Sequence, residues 1–369
     1  MRRVAIVQDT VPHYRVPFFA ALRERLARQD VALALLHGGA PTPEEHRIVE
    51  TQLPWATRVR TRSLGPGGRA RYHEVLRVTA RAHLVVVEQA NRMLENYPLL
   101  LRQRFGGPPV ALWGHGANLQ ADPSRSAAAA ERWKRSWATS PHWWFAYTEG
   151  SARRVEALGF DPDRVTVVQN AVATSWSESA SSVPREQATA VFVGRLYDLK
   201  RLPFLVKAGD VIADMVPGFR LVVVGDGPER EGLERLARDR AWLDVRGTLL
   251  GADKTQALQS ASVHVMPGLV GLSVVDTFAA GTPPVVVDLP FHSPEVEYVE
   301  NGVNGLALPV ETTPEEYGRA VADLLHDEAR LNRLRSGCIE AARTYTVEAM
   351  TERFASGVVA ALDLARADR

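Results

Sequence analysis

Short apolar runs alternate along the chain with stretches in which apolar residues recur at helical spacing. This alternation is typical of parallel β-sheets whose strands are connected by crossover helices. In the first half it predicts strands at Val4–Val7, Val31–Leu36, Leu84–Val87, Pro109–Trp113, Phe145–Tyr147 and Val165–Val168. It predicts helices at Val16–Arg28, Tyr72–Arg81, Met93–Phe105 and Arg125–Thr139.

A second series of strands begins after the Ser-rich segment 173–187, whose composition is typical of a linker. Strands are predicted at 190–194, 220–225, 243–246, 262–266 and 284–287, with helices near 202–215, 229–240, 253–261 and 272–280. The stretch from residue 314 onward is almost entirely helical in pattern. We therefore predict an α/β protein with two doubly wound domains, at 1–172 and 188–345, followed by a final segment at 346–369.

Composition is that of a globular protein, with 46% hydrophobic and 24% charged residues in 369. This length exceeds one ordinary core, in agreement with two domains. No apolar run approaches the roughly 18 residues of a membrane span, and the chain enters its first strand without the pattern of a signal peptide. We expect a cytoplasmic protein. The single cysteine, Cys338, excludes an internal disulfide and a cysteine metal cluster, and we expect it to be a packed thiol.

The net charge of +1 conceals two oppositely charged halves. The first 172 residues hold 24 Lys/Arg and 15 Asp/Glu, a balance of +9, so the remaining 197 hold 20 and 28, a balance of −8. Seven arginines lie within Arg58–Arg81, and tryptophans and basic residues mix between Arg132 and Trp144. Such a region either lies on an anionic membrane surface or is a solvated basic face beside an aromatic core. We expect no nucleic-acid binding, because no recognised nucleic-acid module is present.

The segment VFVGRLYDLKR, residues 191–201, carries the clearest chemistry. An apolar strand ends at Gly194, and the cations Arg195 and Lys200 follow. Glycine lets the backbone turn sharply and approach a ligand, and the carboxyl ends of strands are where open α/β sheets bind ligands. Because guanidinium and ammonium groups suit phosphate oxygens, the segment predicts a diphosphate site.

Four later segments extend this pattern: RLVVVGDGP at 220–228, ASVHVMPGLVGLSVVD at 261–276, AAGTPPVVV at 279–287 and EYVENGVNG at 297–305. In this order the five segments resemble the nucleotide-sugar-binding half of glycosyltransferase family 4, over residues 188–350. The resemblance is much looser before residue 145. It implies a GT-B architecture, in which two Rossmann-like domains face each other across a ligand-binding cleft and the final helix packs back on the N-terminal domain.

The resemblance also implies roles for donor-binding residues. Arg195 and Lys200 match the paired cations that hold the donor diphosphate. Asp276 matches the second acid of the Glu-x7-Glu motif, which accepts hydrogen bonds from the ribose hydroxyls. Glu297 matches an acid near the donor, with Glu295 as a rival for the role. Gly194 and Gly225 are the remaining donor-binding candidates in these strand-end turns, and simple chain reversal is an equal alternative for the turn at 225–227.

The first acid of that motif is absent, because Gly268 stands in its place. The backbone N–H groups of Gly271, Leu272 and Ser273 can still bind phosphate. Gly268 therefore indicates either a sub-lineage that works without this acid or a weakened enzyme, and the intact donor segments favour the first.

In the N-terminal half, His115 follows an apolar strand between two glycines and matches a family histidine beside the donor sugar. A turn histidine without function is the alternative. His13 and Arg15 lie after the first strand and are the candidates for acceptor contacts.

Together these features predict a retaining, metal-independent hexosyltransferase of polysaccharide or natural-product biosynthesis. Its donor is a nucleotide diphosphate sugar used as co-substrate, and no cofactor is expected. The acceptor is a lipid-linked saccharide, a glycan or a small natural product, and the basic half favours an anionic one. Catalytic roles are expected for His115, Arg195 and Lys200. A nucleotide-sugar epimerase of GT-B fold and a non-catalytic nucleotide-sugar-binding protein are the alternatives.

Overall fold

The computed structural model describes residues 1–40, 42–65, 70–116, 137–174 and 185–367. The chain forms two compact units. The N-terminal unit comprises Met1–Ala173 together with Val347–Arg369, and the C-terminal unit comprises Thr174–Thr346. The chain therefore leaves its first unit, builds the second and returns.

The strands of the N-terminal unit are β1 (Arg2–Gln8), β2 (Val31–His37), β3 (Thr57–Arg58), β4 (Thr61–Leu64), β5 (Ala70–His73), β6 (Leu84–Glu88), β7 (Val110–Gly114), β8 (Trp143–Ala146) and β9 (Val165–Val167). Seven of them form a parallel sheet in the order β3-β2-β1-β6-β7-β8-β9, and β4 pairs antiparallel with β5. Strand order reverses between β1 and β6, which is the topological switch point of this doubly wound sheet.

The strands of the C-terminal unit are β10 (Thr189–Val193), β11 (Arg220–Val224), β12 (Leu243–Gly247), β13 (Val263–Met266), β14 (Pro284–Val287) and β15 (Leu306–Leu308). They form a second parallel sheet in the order β12-β11-β10-β13-β14-β15. Here the switch point lies between β10 and β13, so the loops after these two strands meet at one edge.

Helices flank both sheets. Those of the N-terminal unit are α1 (Val16–Ala27), α2 (Pro43–Gln52), α3 (Asn96–Gln103) and α4 (Glu149–Ala157). Those of the C-terminal unit are α5 (Leu202–Met215), α6 (Arg230–Ala237), α7 (Gly251–Ser260), α8 (Ser273–Ala279), α9 (Pro314–His326) and α10 (Glu328–Thr344), and the last helix, α11 (Val347–Ala367), packs in the N-terminal unit.

Helix α11 completes the core of the N-terminal unit. Its buried side chains recur every three or four residues, which places them on one face of the helix. Phe354 stacks on Phe145 of β8 at 4.2 Å between ring centroids and meets Trp113 of β7 at 5.0 Å. Gly357 lets the helix approach the sheet, because a Cβ there would collide with Thr166 of β9.

The predicted α/β class with two doubly wound sheets is confirmed. The helix predicted at Tyr72–Arg81 is wrong: Ala70–His73 is a strand, and only Val78–Arg81 forms a short 3-10 helix. The N–H of Arg71 donates to the carbonyl of Arg92 at 2.7 Å, and the N–H of Leu94 donates to the carbonyl of Arg71 at 2.8 Å. These tertiary hydrogen bonds hold extended backbone where the local pattern is helical.

Other boundaries differ less. The helix predicted at Met93–Phe105 is limited to Asn96–Gln103, and the three-residue strand β15 was not predicted. The helix predicted at Arg125–Thr139 lies outside the described residues except at its end, as does most of the predicted linker at 173–187. Across the described ranges, no helix is both long and apolar enough to cross a membrane.

Candidate functional site

The predicted donor residues of the C-terminal unit gather where β10 and β13 end. Arg195 and Lys200 lie in the loop after β10, and Gly268–Ser273 lies in the loop after β13. Because these strands are neighbours at the switch point, the two loops adjoin. The N–H of Leu269 donates to the carbonyl of Leu199 at 2.8 Å, which fixes one loop on the other.

Lys200 is a buried cation, and no counter-ion approaches it among the described residues. It is the last residue of the short 3-10 helix Asp198–Lys200 and is only 6% exposed. Its Nζ donates to the carbonyl of Leu269 at 2.5 Å, and no carboxylate of the described residues forms an ion pair with it. Burial lowers the pKa of Lys200 to about 8. A buried charge is costly unless it is paired, so this ammonium is suited to an anionic ligand.

Arg195 contrasts with Lys200, since it is exposed and makes no ion pair with a described residue. The turn after β11 packs closely against the start of the loop that carries Arg195. Gly225 has φ +152°, and a Cβ there would collide with the carbonyl of Gly194. Glycine at 225 therefore allows the two strand-end turns to pack closely. At Gly194 the need for glycine is weaker, because a Cβ there would meet the Lys200 side chain at an ordinary 3.5 Å.

The missing acid at Gly268 has a steric explanation. A Cβ at this position would collide with the carbonyl of Leu199 and the backbone of Lys200. Arg201, the residue after Lys200, adopts a left-handed conformation with φ 54°, and its guanidinium donates to the carbonyl of Pro267 at 3.3 Å. The loop that carries Lys200 therefore occupies the space into which a side chain at 268 would project.

His292 holds the loop after β13 in place and was not identified from the sequence. Its Nδ1 accepts the N–H of Val270 at 2.9 Å, so Nε2 carries the proton and donates to the carbonyl of Val287 at 2.6 Å. Burial lowers the pKa of His292, which keeps this neutral form. The next backbone N–H groups, of Gly271, Leu272 and Ser273, have no acceptor within the described part of the chain.

Asp276 of α8 forms an ion pair that the sequence did not predict. Lys254 of α7 places its Nζ 2.9 Å from both carboxylate oxygens of Asp276. Burial raises the pKa of Asp276, and Lys254 opposes this shift. The two acids considered at the last donor segment differ in burial: Glu295 is buried and Glu297 is exposed, both on the 3-10 helix Pro294–Tyr298.

In the N-terminal unit, His115 follows β7. Burial lowers the pKa of His115, with a smaller effect of the nearby Arg154 cation, so its imidazole is neutral at neutral pH. Its loop is fixed by the N–H of Gly116, which donates to Gln89 Oε1 at 2.7 Å. A neutral imidazole both donates and accepts hydrogen bonds, as recognition of a sugar hydroxyl requires.

The two acceptor candidates are arranged differently. The exposed ring of His13 lies with Nδ1 2.8 Å from Glu45 Oε1. Arg15 is buried and points inward, with its guanidinium 5.2 Å from the Trp113 ring centroid. The sequence did not show that Arg15 packs in the core.

A buried charged cluster at the switch point of this sheet was also missed. Asp9 follows β1, and its carboxylate pairs with Arg71 at 2.9 Å and Arg92 at 3.1 Å. The ring of His73 lies between Asp9, at 3.4 Å, and Glu95, at 2.8 Å. Burial alone would raise the pKa of Asp9, but hydrogen bonding with His73 and the two arginines lower it below its usual value.

Glu88, at the end of β6, adjoins this cluster. Its Oε1 accepts the N–H of Asp9 at 3.2 Å. Burial, with the charge of Asp9 adding to it, raises the pKa of Glu88 to about 7. The sequence contained a signal for this cluster, because acids at the carboxyl ends of β1 and β6 lie at the switch point of the sheet. Over the described ranges, no group of three His, Cys, Asp or Glu side chains could hold a metal ion.

Comparisons with known proteins find glycosyltransferases. Residues 187–327 match the family model described as "Glycosyl transferases group 1". The chain is 28% identical over 254 residues to the D-inositol 3-phosphate glycosyltransferase of Thermomonospora curvata, covering 60% of this chain and 58% of that protein. It is 28% identical over 198 residues to the lipopolysaccharide core biosynthesis glycosyltransferase LpsE of Rhizobium meliloti, covering 51% and 55%. The chain thus spans little more than half the length of these curated relatives.

Solved structures match over nearly the whole chain. Anabaena Alr3699/HepE in complex with UDP superposes with a TM-score of 0.72 at 15% identity, covering 97% of this chain and 100% of that one. The lipopolysaccharide outer core galactosyltransferase WaaB gives a TM-score of 0.70 at 13% identity, covering 97% of this chain and 99% of that one. These identities show the fold alone. The GT-B fold and the resemblance to the group 1 glycosyltransferases are confirmed.

Proposed function

We propose that this chain is a retaining, metal-independent glycosyltransferase that moves a hexosyl group from a nucleotide diphosphate sugar to an acceptor. The observation that carries the proposal is Lys200, a buried ammonium at the switch point of the C-terminal sheet that forms no ion pair with a described residue. Exposed Arg195 and the N–H groups of Gly271–Ser273 adjoin it in the same two loops. This arrangement suits the two negative charges of a diphosphate.

In the proposed reaction, the bond between the anomeric carbon and the diphosphate oxygen breaks. The acceptor oxygen bonds to that carbon instead, and its hydroxyl proton passes to the departing diphosphate. Negative charge then accumulates on the diphosphate. Arg195 and Lys200, fixed before the reaction, stabilise that charge without reorganisation. Asp276 accepts hydrogen bonds from the ribose, and His115 hydrogen bonds a sugar hydroxyl. Retention of the anomeric configuration rests on the family resemblance.

Replacing Lys200 by Met tests the donor site. Loss of a charged hydrogen-bond donor removes about 1.5–3 kcal/mol, so binding of UDP-glucose or GDP-mannose should weaken at least about tenfold. Titration calorimetry measures this affinity, and release of free nucleotide measures turnover. Lys207→Met, at an exposed position of α5, is the matched control. Unchanged nucleotide-sugar binding by Lys200→Met would refute the assignment.

A second candidate, a nucleotide-sugar-binding protein without transferase activity, is favoured by one observation. The motif acid is absent at Gly268, and the backbone leaves no room for it. Such a protein would bind the donor and release no nucleotide with any acceptor. An epimerase would instead convert the sugar in the absence of acceptor, so product analysis both with and without acceptors separates the three activities.

We further propose an anionic acceptor, presented in solution or at a membrane surface. Arg60 before β4, Arg62 in β4 and Arg92 in the loop after β6 have side chains that are 74%, 57% and 58% exposed, and all three also pair with Glu74 or Asp9. Trp143 and Trp144 are buried and do not contribute to this surface. Cosedimentation with vesicles of anionic lipid should be detectable at low salt and lost at high salt. Absence of salt-sensitive binding would leave a soluble anionic acceptor.

A further inference from the structure

The ion pair between Lys254 and Asp276 joins two elements of the proposed donor site. Lys254 lies near the start of α7, which follows β12, and Asp276 lies on α8, which follows β13. The ammonium contacts both carboxylate oxygens at 2.9 Å. The side chains are 27% and 14% exposed, so the pair is largely shielded but still reachable by a ligand.

Both Lys254 and Asp276 can form further hydrogen bonds while they remain paired. A carboxylate offers about four lone-pair sites, and an ammonium has three N–H donors. Lys254 uses one site on each oxygen of Asp276 and at most two of its own donors. Each oxygen can still accept one hydroxyl, and the third N–H can donate to a hydroxyl oxygen. Two adjacent hydroxyls, such as those of ribose, match this set.

The cation also keeps Asp276 an acceptor. Burial raises the pKa of Asp276, and Lys254 is the charge that opposes the rise. A neutral carboxylic acid carries a proton on one oxygen and accepts weaker hydrogen bonds than a carboxylate. Without Lys254, the partly buried acid would be less able to receive two hydroxyls.

We propose that Lys254 is a positioning and specificity-determining residue, which together with Asp276 selects ribonucleotide donors over 2′-deoxyribonucleotide donors. This inference rests on the proposed function. Lys254 is one of only four lysines, against 40 arginines, and no motif identified it. A purely structural ion pair between α7 and α8 is the competing explanation. If the pair is purely structural, its loss should weaken binding of ribonucleotides and 2′-deoxyribonucleotides equally. If it selects between them, its loss should change the ratio of the two affinities.

The experiment compares the affinities for UDP and 2′-deoxy-UDP, and for GDP and 2′-deoxy-GDP, by titration calorimetry. The unchanged protein should prefer the ribonucleotide by about 10- to 100-fold, as expected for a hydrogen bond to a charged group. Lys254→Met should reduce this preference to about threefold or less, with a smaller loss of affinity for the 2′-deoxynucleotide, which keeps one of the two hydroxyls. Lys254→Arg keeps the charge and should retain most of the preference.

Two further variants complete the test. Asp276→Asn should lose the preference, and the double variant should be no worse than either single one, because the two residues act as a unit. Lys207→Met on α5 should behave like the unchanged protein. Equal weakening of both nucleotide classes by Lys254→Met, or no preference in the unchanged protein, would overturn the inference. If no nucleoside diphosphate bound at all, the proposed function would fail and the inference with it.

Discussion

At the residue scale, Gly268 shows how one backbone contact decides the chemistry of a loop. Its missing side chain leaves room for the carbonyl of Leu199 and the backbone of Lys200. The position cannot carry a motif acid while Lys200 keeps its present place. Positive charge and backbone N–H groups are therefore what this edge of the sheet offers to the proposed donor.

Gly268→Ala should consequently destabilise the protein by about 1–3 kcal/mol, the usual effect of forcing extra volume into a packed site. It should also weaken nucleotide-sugar binding, because the loop of Lys200 must shift. Chemical denaturation and titration calorimetry measure the two effects. Gly271→Ala is the matched control for stability, since a Cβ there would meet only Ser293 Oγ, at 3.7 Å. Equal stability of the two variants would contradict the steric explanation.

The sequence predicted candidate site residues that follow the ends of strands. It did not predict residues whose hydrogen-bond partners lie in a distant segment of the chain. Lys200 and Asp276 follow buried strands of the C-terminal sheet, which is a local signal. Lys254 and His292 lie 22 residues from their partners Asp276 and Val270. Their roles depend on loop packing, which periodicity does not encode.

At the element scale, the β4–β5 hairpin is attached to the N-terminal sheet by buried charge. His73 at the end of β5 lies between Asp9 after β1 and Glu95 before α3. Burial would lower the pKa of His73, but hydrogen bonds and charges from Asp9 and Glu95 outweigh it and raise the pKa to about 9. Protonated His73 therefore links three chain segments at neutral pH.

This predicts a pH-dependent contribution to stability. The folded-state pKa of His73 exceeds the usual value of 6.5, so its contribution is complete below about pH 6.5 and is lost as pH rises through about 9. His73→Gln should destabilise the protein more at pH 6 than at pH 9.5. Urea unfolding followed by tryptophan fluorescence reports on this unit, which holds six of the eight tryptophans.

His326→Gln provides the control for that experiment, because this histidine is exposed at the end of α9 in the other unit. Its effect should be small at both pH values. A His73→Gln penalty that did not change with pH would show that packing, rather than charge, holds the hairpin.

The same hairpin shows the limit of element prediction. Strands such as Val263–Met266 and helices such as Leu202–Met215 follow local periodicity and were predicted closely. Residues 72–81 have a helical pattern, yet Arg71 exchanges backbone hydrogen bonds with Arg92 and Leu94 from a distant loop. Such tertiary pairing overrides local preference, and a single sequence does not reveal it.

At the scale of the whole molecule, the chain path makes the N-terminal unit depend on the last 23 residues. That unit is built from Met1–Ala173 and Val347–Arg369, with the C-terminal unit between them. Helix α11 supplies Phe354 to a cluster of rings with Phe18, Trp113 and Phe145. The first unit therefore cannot complete its core until α11 has been made.

The variant Phe354→Ala measures how much the packing of α11 contributes to the stability of the N-terminal unit. Truncating a fully buried phenylalanine costs about 3–5 kcal/mol, a large part of the 5–15 kcal/mol that usually stabilises a domain. The tryptophan-monitored urea midpoint should fall accordingly, while stabilisation by UDP-glucose, proposed to arise in the C-terminal unit, should persist. Phe105→Ala, at a side chain 82% exposed in the same unit, should change little. A small effect of Phe354→Ala would mean that the N-terminal sheet and α1 hold their core without α11.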